Sequence, residues 1–311
     1  MVKKNGGIPF FAVPSVKFRR SLSPHNLFIP FKLLSGIRKA KKLLKEIKPD
    51  IVFSKGGYVA LPVVMAARKL KIPYIIHESD MSIGLANRLV AKKAKYVCGG
   101  FADAVKHLQN GIHTGSPIRH SLYEGNPQKA KASLNITSDK PVLLITGGSS
   151  GSVAINQIAI KCLDKLTQEY TILHLTGKGK LPAQSSLFTS SYYPIEFTQN
   201  IQDLFALTSL CVTRGGAGAL FELTALGIPS LIIPLPKSRS SRGDQVQNAQ
   251  YFKERDYAII LEQENLNPDN LVLSIKELSA QAPALKKAML TATEIDGSAK
   301  IVNLITKTAF S

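Results

Sequence analysis

Two doubly wound α/β domains are what this sequence predicts, and three features predict them. Short β-branched runs alternate with helical patterns almost throughout; the alternation loosens once, from Ser116 to Lys140; and the glycine-rich stretches fall directly after strands. The chain of 311 residues is long enough for two domains with cores of ordinary size. "DIVFSKGG", "IPYIIHES" and "KYVCGGF" read as strands ahead of the loosened stretch, and "PVLLITGG", "YTILHLTG", "SLCVTRGG", "PSLIIPL" and "YAIIL" after it. Each leads into a turn or loop and most into a helix, the order that builds a parallel sheet. In such sheets ligands sit beyond the carboxyl ends of the strands, so the loops that follow strands carry the chemistry. Ser116–Lys140 reads as the end of one domain and the linker to the next.

Taken in chain order, the first clear element is a helix. "HNLFIPFKLLSGIRKAKKLLKEIKPD" sets Leu33, Ile37, Ala40, Leu44 and Ile47 at helical spacing, a core stripe. Arg38, Lys39, Lys41, Lys42, Lys45 and Lys48 mostly lie elsewhere around it, with Arg19, Arg20, Leu27, Phe28, Ile29 and Phe31 just ahead. Apolar residues flanked by cations suit contact with an anionic lipid surface; a solvated basic face over a core helix has the same spacing. Next comes "SKGGYVA", a glycine turn after a strand, and then "IPYIIHESD", which ends on His77 and Asp80.

The second half holds two more strand–glycine turn–helix units. In "PVLLITGGSSGSVAINQIAIKCLDKL", Gly147, Gly148 and Gly151 let backbone N–H groups approach a phosphate, with Ser149 as an added donor. The stretch is neither the dinucleotide fingerprint nor a Walker loop, and a tight turn without ligand fits it equally. In "TRGGAGALFELTALGIPSLIIP", Gly215, Gly216 and Gly218 precede a helix that Gly227 and Pro229 stop. Glu222 stands about one turn into that helix. A carboxylate there can accept two hydrogen bonds from a ribose diol; the alternative is a solvated glutamate that favours the helix N-terminus. Together the two units point to a sugar nucleotide.

Composition narrows the class. With 44% hydrophobic and 20% charged residues the chain is that of a globular protein, and its longest apolar stretch, Tyr58–Ala67, is too short to span a bilayer. "MVKKNGGIPFFAVPSVKFRR" does not read as a signal peptide. Cys98, Cys162 and Cys211 stand far apart, which argues against a disulfide framework or cysteine-based zinc site and fits a reducing compartment. The net charge of +19 asks for phosphate-bearing ligands, an anionic membrane face or a polyanion. No nucleic-acid-binding signature accompanies it, so no nucleic acid partner is expected.

Five ordered motifs, "KPDIVFSKGGYVALPVVMAARKLKIPYIIHESDMSIGLANRLVAKKAKYV", "TGSPIRHSL", "TGGSSGSVAINQ", "TRGGAGALFELTALGIPSLIIPL" and "SRGDQVQNAQYF", resemble the MurG family nearly end to end. Those enzymes are the UDP-GlcNAc:undecaprenyl-diphospho-MurNAc-pentapeptide GlcNAc transferases of peptidoglycan synthesis. The resemblance implies a GT-B fold, two Rossmann-like domains facing a cleft. It divides this chain into 1–122, joined by a returning helix at 294–311, and 123–293. It implies an inverting, metal-independent transfer of GlcNAc from UDP-GlcNAc, with no cofactor, to the MurNAc C4 hydroxyl of an undecaprenyl-linked acceptor. The enzyme would be peripheral, on the cytoplasmic face of the membrane. By motif, Arg119 and Ser149 approach the donor, Thr198 offers its backbone to uracil, and Ala217, Gly218, Ala219, Leu220, Phe221 and Glu222 hold diphosphate and ribose. Gln245 meets the GlcNAc hydroxyls, and Asp80 stands near the sugar. Ser116, Gln199, Asn200 and Asp80 depart from the family's commoner residues.

The family's opening strand, its glycine-rich loop bearing a histidine, and the following helix and strand have no match here, so the first domain reads as truncated at its amino end. That loop carries the family's candidate general base; His77 is the candidate left in a motif. A sugar-nucleotide-binding remnant without turnover is the competing reading.

Overall fold

The computed structural model describes residues 8–15, 29–182, 190–238 and 243–310. The chain forms two compact units, Met1–Gly115 with Ser298–Ser311, and Ser116–Gly297.

The first unit runs α1 (Ile29–Ile47), β1 (Val52–Ser54), α2 (Leu61–Lys69), β2 (Tyr74–Glu78), α3 (Leu85–Ala91), β3 (Tyr96–Gly99), α4 (Ala102–Val105) and β4 (Gly111–His113). Its strands are all parallel in the order β1-β2-β3-β4. All of β2 is buried, polar His77 and Glu78 included, as expected of a strand inside a parallel sheet covered on both faces. Helix α1 lays Ile37, Ala40 and Leu44 against Ala66 and Ala67 of α2. Gly36 lets the segment bearing Pro14 lie against α1, because a Cβ there would stand 2.2 Å from the Pro14 carbonyl oxygen. The expected stripe is shorter at its end: Ile47 is exposed, since the helix stops at Lys48, whose φ is +48°.

The second unit runs α5 (Pro127–Leu134), β5 (Val142–Thr146), α6 (Val153–Lys161), α7 (Leu163–Glu169), β6 (Thr171–Leu175), β7 (Tyr192–Ile195), α8 (Ile201–Leu207), β8 (Leu210–Thr213), α9 (Ala217–Ala225), β9 (Ser230–Ile232), α10 (Asp244–Lys253), β10 (Ala258–Ile260) and α11 (Pro268–Leu290). Its sheet is parallel in the order β10-β9-β8-β5-β6-β7. Leu143, Ile145, Ile172 and Val212 of the sheet share one core with Ile155, Ala159 and Leu163 and with Leu271, Ile275 and Leu278 of α11. The stretch read as a linker is not open chain. Asn126 caps α5 by accepting from the Lys129 N–H, and Pro127 begins the helix.

Helix α12 (Ser298–Ala309) closes the first unit, burying Ile301 against Ile75 and Cys98. The chain leaves the first unit after Gly115 and returns after Gly297, so 116–122 and 294–297 go with the second unit and not, as expected, with the first. The reason is a short parallel bridge between them. Ser116 N–H donates to Ile295 O at 3.0 Å and Gly297 N–H to Ser116 O at 2.8 Å. Asp296 adds its carboxylate, accepting from Ile118 N at 3.4 Å and Tyr123 OH at 3.1 Å.

Candidate functional site

In the second unit the loops after β5, β6 and β8 gather at the carboxyl edge of adjoining strands. The Gly147–Gly151 turn needs glycine at two points. A Cβ on Gly151, whose φ is +69°, would stand 1.9 Å from Thr176 O, and one on Gly147 would stand 2.1 Å from Ser152 N. Ser149 is exposed at the tip of this turn. Lys180 ties it down from the next loop, its ammonium donating to Ser150 O at 2.6 Å.

Helix α9 starts differently from α6. Ser152 caps α6 by accepting from Ile155 N–H, whereas α9 begins at Gly216 with no side-chain cap. A helix's first N–H groups have no partner within the helix, so an uncapped start offers donors and positive potential to an anion. Among the described residues nothing covers that start: a Cβ built on Gly216 or Gly218 meets no atom within 4 Å. Ala217, Leu220 and Phe221 are buried, which leaves their backbone as what they could offer a ligand. Gly215 is pressed against Gln245 at the head of α10, where a Cβ would stand 2.5 Å from Gln245 O. Gln245 Oε1 accepts from Leu235 N at 2.9 Å.

Glu222 lies just beyond, half-buried, and Arg119 donates to one of its oxygens, Oε1, from Nε at 3.3 Å and Nη2 at 3.2 Å. Both donors on a single oxygen leave Oε2 with its acceptor capacity. Thr198 forms a local turn, its hydroxyl accepting from Asn200 N at 3.0 Å, beside Phe197, whose ring is 51% exposed. Ser149, Gln245 and Glu222 thus sit on loops or helix starts that follow strands of one sheet, with Arg119 tied to Glu222. Sequence reasoning passed over Phe197, Lys180, Ser152 and Arg214; an aromatic flanking a polar turn and a cation inside a buried run were the available signals.

In the first unit His77 closes β2 with no exposed surface. Its Nε2 faces Gly115 O at 3.0 Å and its Nδ1 faces the Lys55 ammonium at 3.2 Å. Burial, then the Lys55 charge, lower its pKa to about 4. The ring is therefore neutral, donates from Nε2 and accepts at Nδ1; sealed on both sides, it is not placed to take a proton from a substrate hydroxyl. It holds Lys55, which also donates to Ser79 Oγ at 3.1 Å. Glu78 organises the loop bearing Asp80, accepting from the N–H groups of Ser79, Asp80 and Gly84 and from the Asn87 amide. Gly56 and Gly57 turn between β1 and α2 with φ of +85° and +79°, and α2 also starts without a side-chain cap.

Around α1, Phe31 is 71% and Leu34 47% exposed. Arg38, Lys41, Lys42 and Lys45 continue the same solvent face at helical spacing. Arg19, Arg20, Leu27 and Phe28 lie outside the described residues. No helix among the described residues is long and apolar enough to cross a membrane.

Comparison with known proteins matches residues 1–98 to the Glycosyltransferase family 28 N-terminal domain and 142–305 to the Glycosyltransferase family 28 C-terminal domain. The chain is 43% identical over 302 residues to the UDP-N-acetylglucosamine–N-acetylmuramyl-(pentapeptide) pyrophosphoryl-undecaprenol N-acetylglucosamine transferase of Lachnospira eligens, covering 96% of this chain and 85% of that one. Its identity to the Staphylococcus carnosus enzyme of the same name is 41% over 286 residues, covering 91% and 78%. Among solved structures, Acinetobacter baumannii MurG superposes with a TM-score of 0.66 at 26% identity, over 90% of this chain and 79% of that one. The Neisseria meningitidis UDP-GlcNAc 2-epimerase bound to UDP-GlcNAc shares the fold, with a TM-score of 0.65 at 15% identity over 94% and 84%.

Proposed function

This chain belongs to glycosyltransferase family 28, among its MurG transferases, and from that premise we propose how its residues carry out the transfer. GlcNAc moves from UDP-GlcNAc to the MurNAc C4 hydroxyl of undecaprenyl-diphospho-MurNAc-pentapeptide, a hexosyl transfer of peptidoglycan synthesis. The observation that carries the residue assignment is the uncapped, uncovered start of α9 with Glu222 one turn in.

The donor diphosphate lies against the N–H groups of Ala217, Gly218 and Ala219, and Glu222 accepts from the ribose hydroxyls through Oε2. Phe197 stacks on uracil beside the Thr198 backbone. Gln245 meets the sugar hydroxyls, and Ser149 and Arg119 close on the donor. When the bond from the anomeric carbon to UDP breaks, negative charge grows on the phosphate, and fixed N–H dipoles stabilise it more than they stabilise the bound substrate. On the first unit, Lys55, the Gly56–Gly57 turn and the start of α2 form the anion-attracting surface for the acceptor's diphosphate. Phe31 and Leu34 enter the lipid interface while the α1 cations meet anionic headgroups on the cytoplasmic face.

Calorimetry with UDP, followed by turnover assays with lipid-linked MurNAc-pentapeptide, tests the reading. UDP binding with turnover is expected. Binding without turnover would reduce the chain to a sugar-nucleotide binder, and no binding would remove the donor site.

A further inference from the structure

At the middle of the second sheet's carboxyl edge stands a cation that meets no anion among the described residues. Arg214 follows β8 and is 9% exposed. Its guanidinium reaches from the residue after β9 to the capping residue of α6. Nε and Nη2 donate to Ser152 Oγ at 3.2 and 2.8 Å, and Nη1 donates to Ile233 O at 3.0 Å. Both acceptors are neutral, and no carboxylate among the described residues lies within ion-pair distance of it. Burial pulls its pKa below the ordinary arginine value. A desolvated charge facing only neutral dipoles is an expensive arrangement unless something anionic completes it.

Ser152 shows where completion would come. It is 8% exposed, and its Oγ takes three donors: the two from Arg214 and the Ile155 N–H at 3.4 Å. A hydroxyl oxygen has two lone pairs, so this one is saturated as an acceptor. Its own proton must point away from the guanidinium and from the first turn of α6, and no acceptor for it stands among the described residues. Ser152 lies against Gly147, whose added Cβ would come within 2.6 Å of the Ser152 Cβ. The hydroxyl thus belongs to the same turn as Ser149, between the starts of α6 and α9.

We infer that the Ser152 hydroxyl donates to a phosphoryl oxygen of the donor diphosphate, with Arg214 behind it as positioning residue and buried counter-charge. This deepens the donor-site reading above and rests on it. As the acceptor O4–C1 bond forms, the C1–O bond to the β-phosphate breaks and its electron pair stays on that oxygen, while the O4 proton leaves to solvent. The added negative charge then meets an O–H polarised by a buried guanidinium, and a hydrogen bond to a charged acceptor is stronger than one to a neutral one. Arg214 suits the task because one planar fork spans Ser152 and Ile233, which a lysine's single ammonium does not.

The test compares UDP with uridine, which keeps the base and ribose contacts and lacks the phosphates. Calorimetry on the full chain should show Ser152→Ala weakening UDP about tenfold or more with uridine unchanged, as loss of a hydrogen bond to a charged group implies. Ser152→Thr, which keeps a hydroxyl and a cap, should restore UDP affinity, and kcat should follow the same order. Arg214→Lys should behave like Ser152→Ala. If it does not fold, the alanine and threonine pair decides alone. UDP and uridine weakening in parallel, or UDP unaffected in Ser152→Ala, overturns the inference and spares the donor site. Failure of the unsubstituted protein to bind either ligand overturns both.

Discussion

Glu222 shows how one side chain can be both satisfied and available. Arg119 holds its Oε1 and leaves Oε2 for a diol. Glu222→Ala should therefore weaken UDP and uridine alike, by about tenfold from the loss of charge-assisted hydrogen bonds. Unchanged uridine affinity in a titration would remove the ribose assignment. This is the opposite signature to that expected at Ser152. Glycines separate in the same manner. Gly151→Ala drives a Cβ into Thr176 O and should lower the melting temperature by several degrees, whereas Gly57→Ala meets open space. The latter should cost about 1 kcal/mol, for the left-handed backbone alone. Equal melting temperatures for the two variants would mean that the turn after β5 yields where its packing says it cannot.

Among the elements, α1 carries the clearest external prediction. Charge reversal at Lys41, Lys42 and Lys45 leaves the buried Ile37, Ala40 and Leu44 untouched, so the fold should persist. Sedimentation with anionic vesicles should fall to the level seen with neutral ones, and the unsubstituted protein should lose binding as salt rises. Retained binding in the reversed variant would place the lipid contact elsewhere. The elements also show what the sequence could disclose. The eight apolar runs were legible because parallel strands covered on both faces need uninterrupted β-branched residues. The edge strands β4 and β7 were not legible. Gly111–His113 is short and half-buried, and Tyr192–Ile195 contains Pro194, which a sheet tolerates only at an edge. Glu222 was visible as a lone carboxylate in an apolar helix. Arg214 looked like any charge beside a glycine turn, because its reach to Ser152 and Ile233 depends on strand order, which spacing along the chain does not contain.

Over the whole molecule, two buried imidazoles set the response to acid. His77 and His174 are both held at a pKa of about 4, from 6.5, chiefly by burial. His174 completes a relay in which Tyr192 OH donates to Nδ1, Nε2 donates to Asn156 Oδ1, and the Asn156 amide donates to Thr176 O. In the unfolded chain each ring takes its proton near pH 6.5, and in the fold only near 4. Stability is thus full above about pH 6.5 and declines as pH falls toward 4, by an order of 3 kcal/mol for each ring. Denaturant titrations at pH 7.5 and pH 5 should show this loss. His174→Gln should remove about half of it, leaving the His77 share, and an unchanged slope in that variant would place the acid sensitivity elsewhere.

The bridge between Ser116 and Asp296 has a practical consequence. Since the second unit's two ends are hydrogen-bonded neighbours, it is topologically an insert in its host. A gene fragment for 116–297 should yield an autonomous module, and a permuted version with those ends fused by a brief tether should keep nucleotide recognition.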